Sequence, residues 1–176
     1  MIVLSLGIII LLLNFVSSLT LNCNFGKQKE NGYGCSNTDL LVLEKGVSIS
    51  EVTGQHIRGY TNDDVKFLNF THAPLSYIPI NLYKFFPSIT FLNINCHEFE
   101  EINKNDIGQF PKLEKLNVQI LKLRKLDADL FEINRDIKVI VIRGGSLFTS
   151  IHPQLITSNM TSLVKIIIEN HYDETK

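Results

Sequence analysis

From Val65 onward, apolar residues recur along the chain at relative positions 1, 4, 6, 11 and 14, with mostly polar residues between them. The first unit reads Val65, Leu68, Phe70, Leu75 and Ile78, and the second Ile89, Leu92, Ile94, Phe99 and Ile102. Leu113, Leu116, Val118, Leu123 and Leu126 follow, then Ile137, Ile140, Ile142 and Leu147, with Ile151 one position late. The starts at Val65, Ile89, Leu113 and Ile137 are evenly spaced, and a fifth unit, Leu163, Ile166 and Ile168, begins slightly beyond the same spacing. One unit is written four or five times.

Positions 4 and 6 alternate with outward-facing neighbours, as in a short half-buried strand. Positions 11 and 14 bring the chain back over the same core after a turn. One such coil cannot bury its apolar edge alone, whereas stacked coils can, their strands pairing in parallel into one sheet. Between the units lie "NLYKFFP", "NDIGQFP", "ADLFEIN" and "PQLITSNM", which read as single helical or 3-10 turns. Phe86 and Phe110, each before a proline that discourages helical geometry, end the first two and are expected to plug the core. Upstream, "LLVLEKGVSISEVTGQHIRGY" carries two strand-like alternations, Leu41/Leu43 and Val47/Ile49, expected to form a cap over the first coil.

The stretches "VKFLNFTHAPL", "ITFLNINCHEF", "LEKLNVQILKL" and "IKVIVIRGGSL" sit in the frame L-x-x-L-x-L-x-x-N-x-L, and the chain resembles leucine-rich-repeat proteins from Val65 to about His171. With its leading cysteine pair and "GYGC" turn it is similar to small secreted members of insects. The resemblance implies an α/β solenoid, with a parallel sheet on the concave face and short helical turns on the convex one. Together with the readings of the first residues and the cysteines below, the expected division is 1–18 leader, 19–64 N-terminal cap stapled by a disulfide, 65–171 repeats and 172–176 tail. One departure stands out. The family's ninth position is usually Asn, but here it holds Ala73, His97, Leu121, Gly145 and His171. The turns must therefore satisfy their backbones through other backbone groups or water, and somewhat irregular turns are expected.

The first residues alter the picture. "MIVLSLGIIILLLNFVSS" is apolar, uncharged and ends in small residues, as a secretory leader does, with cleavage expected after Ser18. An uncleaved anchor is the alternative, although the run falls short of the roughly 20 residues that span a bilayer. No later stretch is apolar enough to cross a membrane, so a secreted, extracellular protein is expected. In an oxidising compartment Cys23 and Cys35, flanking the Gly-rich "NFGKQKENGYG", are expected to pair, leaving Cys96 either buried and inert or, the reading favoured here, a partly exposed free or intermolecularly paired thiol. "NFT" at Asn69 and "NMT" at Asn159 fit the glycosylation rule.

The chemistry is sparse. Of the 176 residues 44% are hydrophobic and 20% charged, and the net charge of −1 argues against a nucleic-acid partner. There is no phosphate loop, no G-x-S-x-G and no H-E-x-x-H, so neither an enzyme nor a cofactor is expected. His72, Cys96 and His97 fall near one another but lack zinc-site spacing. What remains is the sheet face. Strand positions 3, 5, 7 and 8 are expected to face the concave surface, where Phe67 and Phe91 stack in one column and Asn69, Asn93 and Asn117 in the next. Asn95, Lys115, Gln119 and Arg143 complete a surface suited to an extracellular protein partner. Cys96 and Ile120, at position 8, are placed on that face too. The alternatives are assembly into a homodimer, through Cys96 or through the uncapped edge at "KIIIEN", and a membrane-tethered ectodomain if the leader stays.

Overall fold

The structure is a computed structural model and describes residues 18–99, 101–123, 125–145, 150–152, 154–156 and 160–170. Residues 1–17, which hold all of the expected leader but Ser18, and Leu147, Asn159, His171 and the 172–176 tail lie outside the described residues. Within them the chain is a parallel-strand β-solenoid of about four turns with little helix.

The cap comes first. Strand β1 (Ser18–Asn22) pairs in parallel with β4 (Ser48–Thr53), while β2 (Asn24–Gln28) and β3 (Gly32–Asn37) form an antiparallel hairpin. The segment between the two cysteines is thus a hairpin, and Cys23 is bonded to Cys35 across it, with Cα atoms 5.1 Å apart. Of the two expected alternations, Val47/Ile49 faces inward, but Leu41/Leu43 does not. Both leucines are exposed, and Leu40 and Val42 are the buried pair. Val42 forms an isolated parallel bridge to Leu75, accepting from Ser76 N (2.8 Å) and donating to Pro74 O (3.1 Å). That bridge fixes which parity points into the core.

Strand β3 then joins the repeats. It pairs in parallel with β5 (Phe67–Thr71), followed by β6 (Phe91–Asn95), β7 (Lys115–Ile120), β9 (Val139–Gly144) and β11 (Lys165–Asn170). The register opposes Phe67 to Phe91, Phe91 to Lys115 and Lys115 to Val139, each time at the repeat spacing read from the sequence. The last step, Val139 to Lys165, is slightly longer, as the late start of the fifth unit requires. The short strands β8 (Lys125–Leu126) and β10 (Ser150–Ile151) pair Leu126 with Ile151. Because Gly144 still opposes Ile120 in the regular register, the extra position that makes Ile151 late is absorbed between these two pairings.

The inward columns explain the stacking. Leu68, Leu92, Leu116 and Ile140 are fully buried, as are Phe70, Ile94, Val118 and Ile142 beside them. Each such side chain stabilises the fold by roughly 2 kcal/mol through removal from water. The connections are as short as expected: α1 (Leu82–Phe85) and α2 (Lys104–Gly108) are single turns, and "ADLFEIN" is a chain of turns. Phe86 and Phe110 are buried at the ends of the first two. One repeat after Phe110 the same column holds Asn134, also buried, whose Nδ2 donates to Phe110 O (2.8 Å) and Ile107 O (3.2 Å) of the preceding coil. Gln109 ties the coils similarly: its Oε1 accepts from Leu82 N, the first donor of α1, at 3.2 Å, and its Nε2 donates to Pro79 O.

Among the described residues the ninth positions hold Ala73, His97, Leu121 and Gly145, none of them an asparagine. Backbone groups take over, with His72 N donating to Asn95 O (2.8 Å) and Gly145 N to Ile120 O (3.1 Å). At Gly145 the coils approach so closely that a Cβ would fall on the Leu121 carbonyl oxygen. Ala73 in the equivalent turn is buried and His97 is exposed.

Candidate functional site

Strand alternation leaves one face of the seven-stranded sheet turned away from the core. The residues expected there divide into two groups. Phe91, Asn69, Asn93, Asn95, Lys115, Asn117, Gln119 and Arg143 are all half-buried on that outer face. Phe67 is not available to a ligand. It is only 2% exposed, its ring packed against Gly34 on the neighbouring strand, where a Cβ would collide with three of the ring atoms. A glycine beside a phenylalanine offers bare backbone on which the ring can settle, and Phe67 takes that space.

Cys96 and Ile120 depart from expectation as well, being buried on the core side. Strand β7 runs on through position 8, so the period of two that carries positions 4 and 6 inward carries Ile120 inward too. Cys96, just past β6, keeps the same parity. Its Sγ lies 3.6 Å from Phe70 O, to which the thiol donates, and burial pushes the thiol pKa up to about 11. A free, buried and protonated thiol does not make an intermolecular disulfide. This also dissolves the His72–Cys96–His97 grouping. The two imidazoles are exposed and stacked at 5.7 Å between ring centres, while the sulfur points away into the core. Among the described residues no group of three or more His, Cys, Asp or Glu side chains is placed to hold a metal ion.

The centre of the outer face is a directed chain of side-chain hydrogen bonds. Asn69 Nδ2 donates to Ser36 Oγ (3.4 Å), Asn93 Nδ2 to Asn69 Oδ1 (2.5 Å) and Asn117 Nδ2 to Asn93 Oδ1 (2.6 Å). Arg143 Nη1 then donates to Asn117 Oδ1 (3.5 Å), and Arg143 Nε to Glu169 Oε1 (2.8 Å). The chain therefore crosses β3, β5, β6, β7, β9 and β11, with every amide donating toward the cap. Aligned hydrogen bonds of this kind polarise one another. Thr71 Oγ1 adds a bond to Asn69 Oδ1 (3.0 Å), so both ends of the Asn69 amide are engaged. A glycan on Asn69 would stand inside this ladder.

The stack of asparagines was visible as a column in the sequence, but its internal bonding and polarity were not. Each ladder amide still carries one N–H, and Asn93 and Asn117 one lone pair each, beyond those engaged in the ladder, so the face can both donate and accept. Ion pairs flank it, Lys138 with Glu114 (2.9 Å) and Lys122 with Glu98 (2.6 Å). Exposed as they are, each contributes little to stability.

No protein-family model matches the chain, and no curated protein matches it in sequence. No helix among the described residues is long and apolar enough to cross a membrane.

Proposed function

We propose that the chain is a secreted leucine-rich-repeat recognition module, which binds an extracellular protein through the outer, concave face of its sheet. The even repeat register, the parallel sheet and the short opposite-side turns support the family reading. The Cys23–Cys35 bond is compatible with an oxidising compartment, and no enzymatic role is assigned to the chain. The observation that carries the function is the surface around the asparagine ladder. The ladder fixes the side chains in place before any partner arrives, which lowers the ordering cost of binding. Phe91 supplies an aromatic anchor beside it, and Lys115, Gln119 and Asn95 supply adaptable polar contacts. With its amide committed to the sheet, Asn69 serves the ladder rather than a glycan.

The test is a binding screen of the purified chain against an array of secreted and cell-surface ectodomains. Any partner found is retested with a Phe91→Ala/Lys115→Ala/Gln119→Ala variant, which leaves the ladder and the core untouched. Loss of binding in the variant is the expected result. A partner that binds the variant as tightly as the parent chain overturns the assignment to this face.

A further inference from the structure

The last strand of the sheet differs from every other. Its inward column continues the buried series Leu68, Leu92, Leu116 and Ile140, yet Ile166 is 40% exposed. Val164, 83% exposed, occupies a column that holds Lys66, Thr90, Glu114 and Lys138 in earlier coils. At the sheet's other edge, β2, aromatic side chains cover the core. Phe25 on β2 is buried under His56, ring centres 3.9 Å apart, Tyr33 Oη bonds His56 Nδ1 at 2.8 Å, and Lys27 Nζ sits 4.4 Å over the Tyr60 ring. Among the described residues nothing pairs with the outer edge of β11. Such an edge is a template for another strand.

We propose that β11 is a self-association edge, pairing antiparallel with β11 of a second copy about a two-fold axis through Ile167. Three features set the occupant and the register. The first is the direction of the backbone groups. Lys165 N donates inward, to Lys138 O at 3.0 Å, so alternation turns the N–H and C=O of Ile166 and Ile168 outward. Opposing Ile166 to Ile168 of the second copy lets each such pair exchange both backbone bonds, and symmetry makes two such pairs.

The second feature is the core face. The same register brings Ile166 and Ile168 of both copies together on the inward side and closes the open column with its own residue type. The third is charge. On the outer side Lys165 meets Glu169 of the second copy, twice. Glu169 Oε1 accepts from Arg143, and its second carboxylate oxygen serves that lysine. A slip of one position would oppose inward isoleucines to outward charges. A slip of two would set Lys165 against Ile167 and leave both charges unmatched. Lys-Ile-Ile-Ile-Glu is its own complement when read backwards, and the contact it makes is isologous and stops at two copies. Head-to-tail stacking onto β2 would have to open the aromatic end instead. This interface is separate from the outer face and does not rest on the recognition role.

The experiment is sedimentation equilibrium of the full chain over a range of concentrations, together with cysteine scanning along β11. A reversible dimer is expected. Lys165→Glu, which sets like charges opposite each other twice, should weaken it about tenfold. Ile168→Pro, tolerable on an edge but lacking the outward N–H, should abolish it. Under oxidation Ile167→Cys should yield a covalent dimer, because opposite residues outside the hydrogen-bonded pairs lie about 4.5 Å apart at Cα, within disulfide range. Lys165→Cys and Glu169→Cys, displaced along the strands from their own copies, should not cross-link. A chain that stays monomeric at every concentration overturns the proposal, whatever else covers β11. So does a dimer indifferent to Lys165→Glu, or one that cross-links equally well from Glu169→Cys. The parent chain and the cysteine variants decide the matter even if Ile168→Pro fails to fold.

Discussion

The sulfur of Cys96 lies 3.6 Å from the carbonyl oxygen of Phe70, one coil earlier, inside a core from which it is 1% exposed. With burial holding its pKa near 11, the thiol is protonated at neutral pH and has no path to a reagent. Iodoacetamide should leave Cys96 unmodified in the native protein and alkylate it fully in urea, with intact mass as the readout. Rapid native labelling would mean that the second coil opens far more readily than its packing implies.

The ladder makes a sharper demand. Asn93 both donates to Asn69 and accepts from Asn117, so Asn93→Ala removes two side-chain bonds, taking the acceptor from Asn117 Nδ2 and leaving Asn69 Oδ1 to Thr71 alone. The expected loss is about 1–3 kcal/mol in urea denaturation. Asn95→Ala, on the same strand and face but outside the ladder, should cost no more than about 0.5 kcal/mol. Equal effects from the two substitutions would remove the ladder's structural role.

Asp106 carries the pH dependence. Its Oδ2 accepts from Asn103 N at 2.7 Å to cap α2, and burial, aided by nearby Glu101, pushes its pKa from 3.8 to about 6 although Asn103 and Lys45 pull downward. A folded-state pKa above the unfolded one means the contribution to stability is fully present below about 4 and is lost as pH rises through about 6. The melting temperature should therefore fall across that window. Asp106→Asn keeps an oxygen for Asn103 N and should flatten the fall, being more stable than the parent chain at pH 7. A slope unchanged by Asp106→Asn would assign the effect to another group.

Two glycines should behave in opposite ways. A Cβ at Gly145 meets the Leu121 carbonyl, so Gly145→Ala should cost about 2 kcal/mol or more as the coils are forced apart. Nothing lies within 4 Å of a Cβ at Gly26, and Gly26→Ala should be neutral or slightly stabilising there. Denaturation midpoints of the two variants check both.

The repeat was legible because burial is periodic, and period is what a sequence records best. The inward columns, the even register and the delay before Ile151 all follow from it. What escaped was local. Leu41 and Leu43 alternate as well as Leu40 and Val42 do, and only the bridge from Val42 to Leu75 chooses between the two parities. Phe67 occupies an outward position, but Gly34 beside it is an absence of side chain that hydrophobic pattern does not weigh. Cys96 and Ile120 stand at position 8, which simple alternation sends inward rather than to the outer face. Gln109 and Asn134 lie in connections with no strong pattern. Asn134 had one signal, a polar residue in the column that Phe86 and Phe110 occupy in the earlier repeats. The stacked asparagines stood out in the sequence, whereas the direction in which each donates required the structure.

A solenoid whose aromatic cap covers one end, while among the described residues no strand pairs beyond β11 at the other, has its stability distributed unevenly, since each coil leans only on its neighbours. The disulfide and the aromatic stack anchor the cap, whereas among the described residues β11 pairs only with β9. Amide exchange should therefore be slowest near β5 and β6 and fastest in β11, a gradient running along the axis of the molecule. If two copies meet through β11, that edge becomes the midpoint of a sheet twice as wide. Its protection would then rise with protein concentration, and the weakest coil of the single chain would become the one that reports its crowding by its own kind.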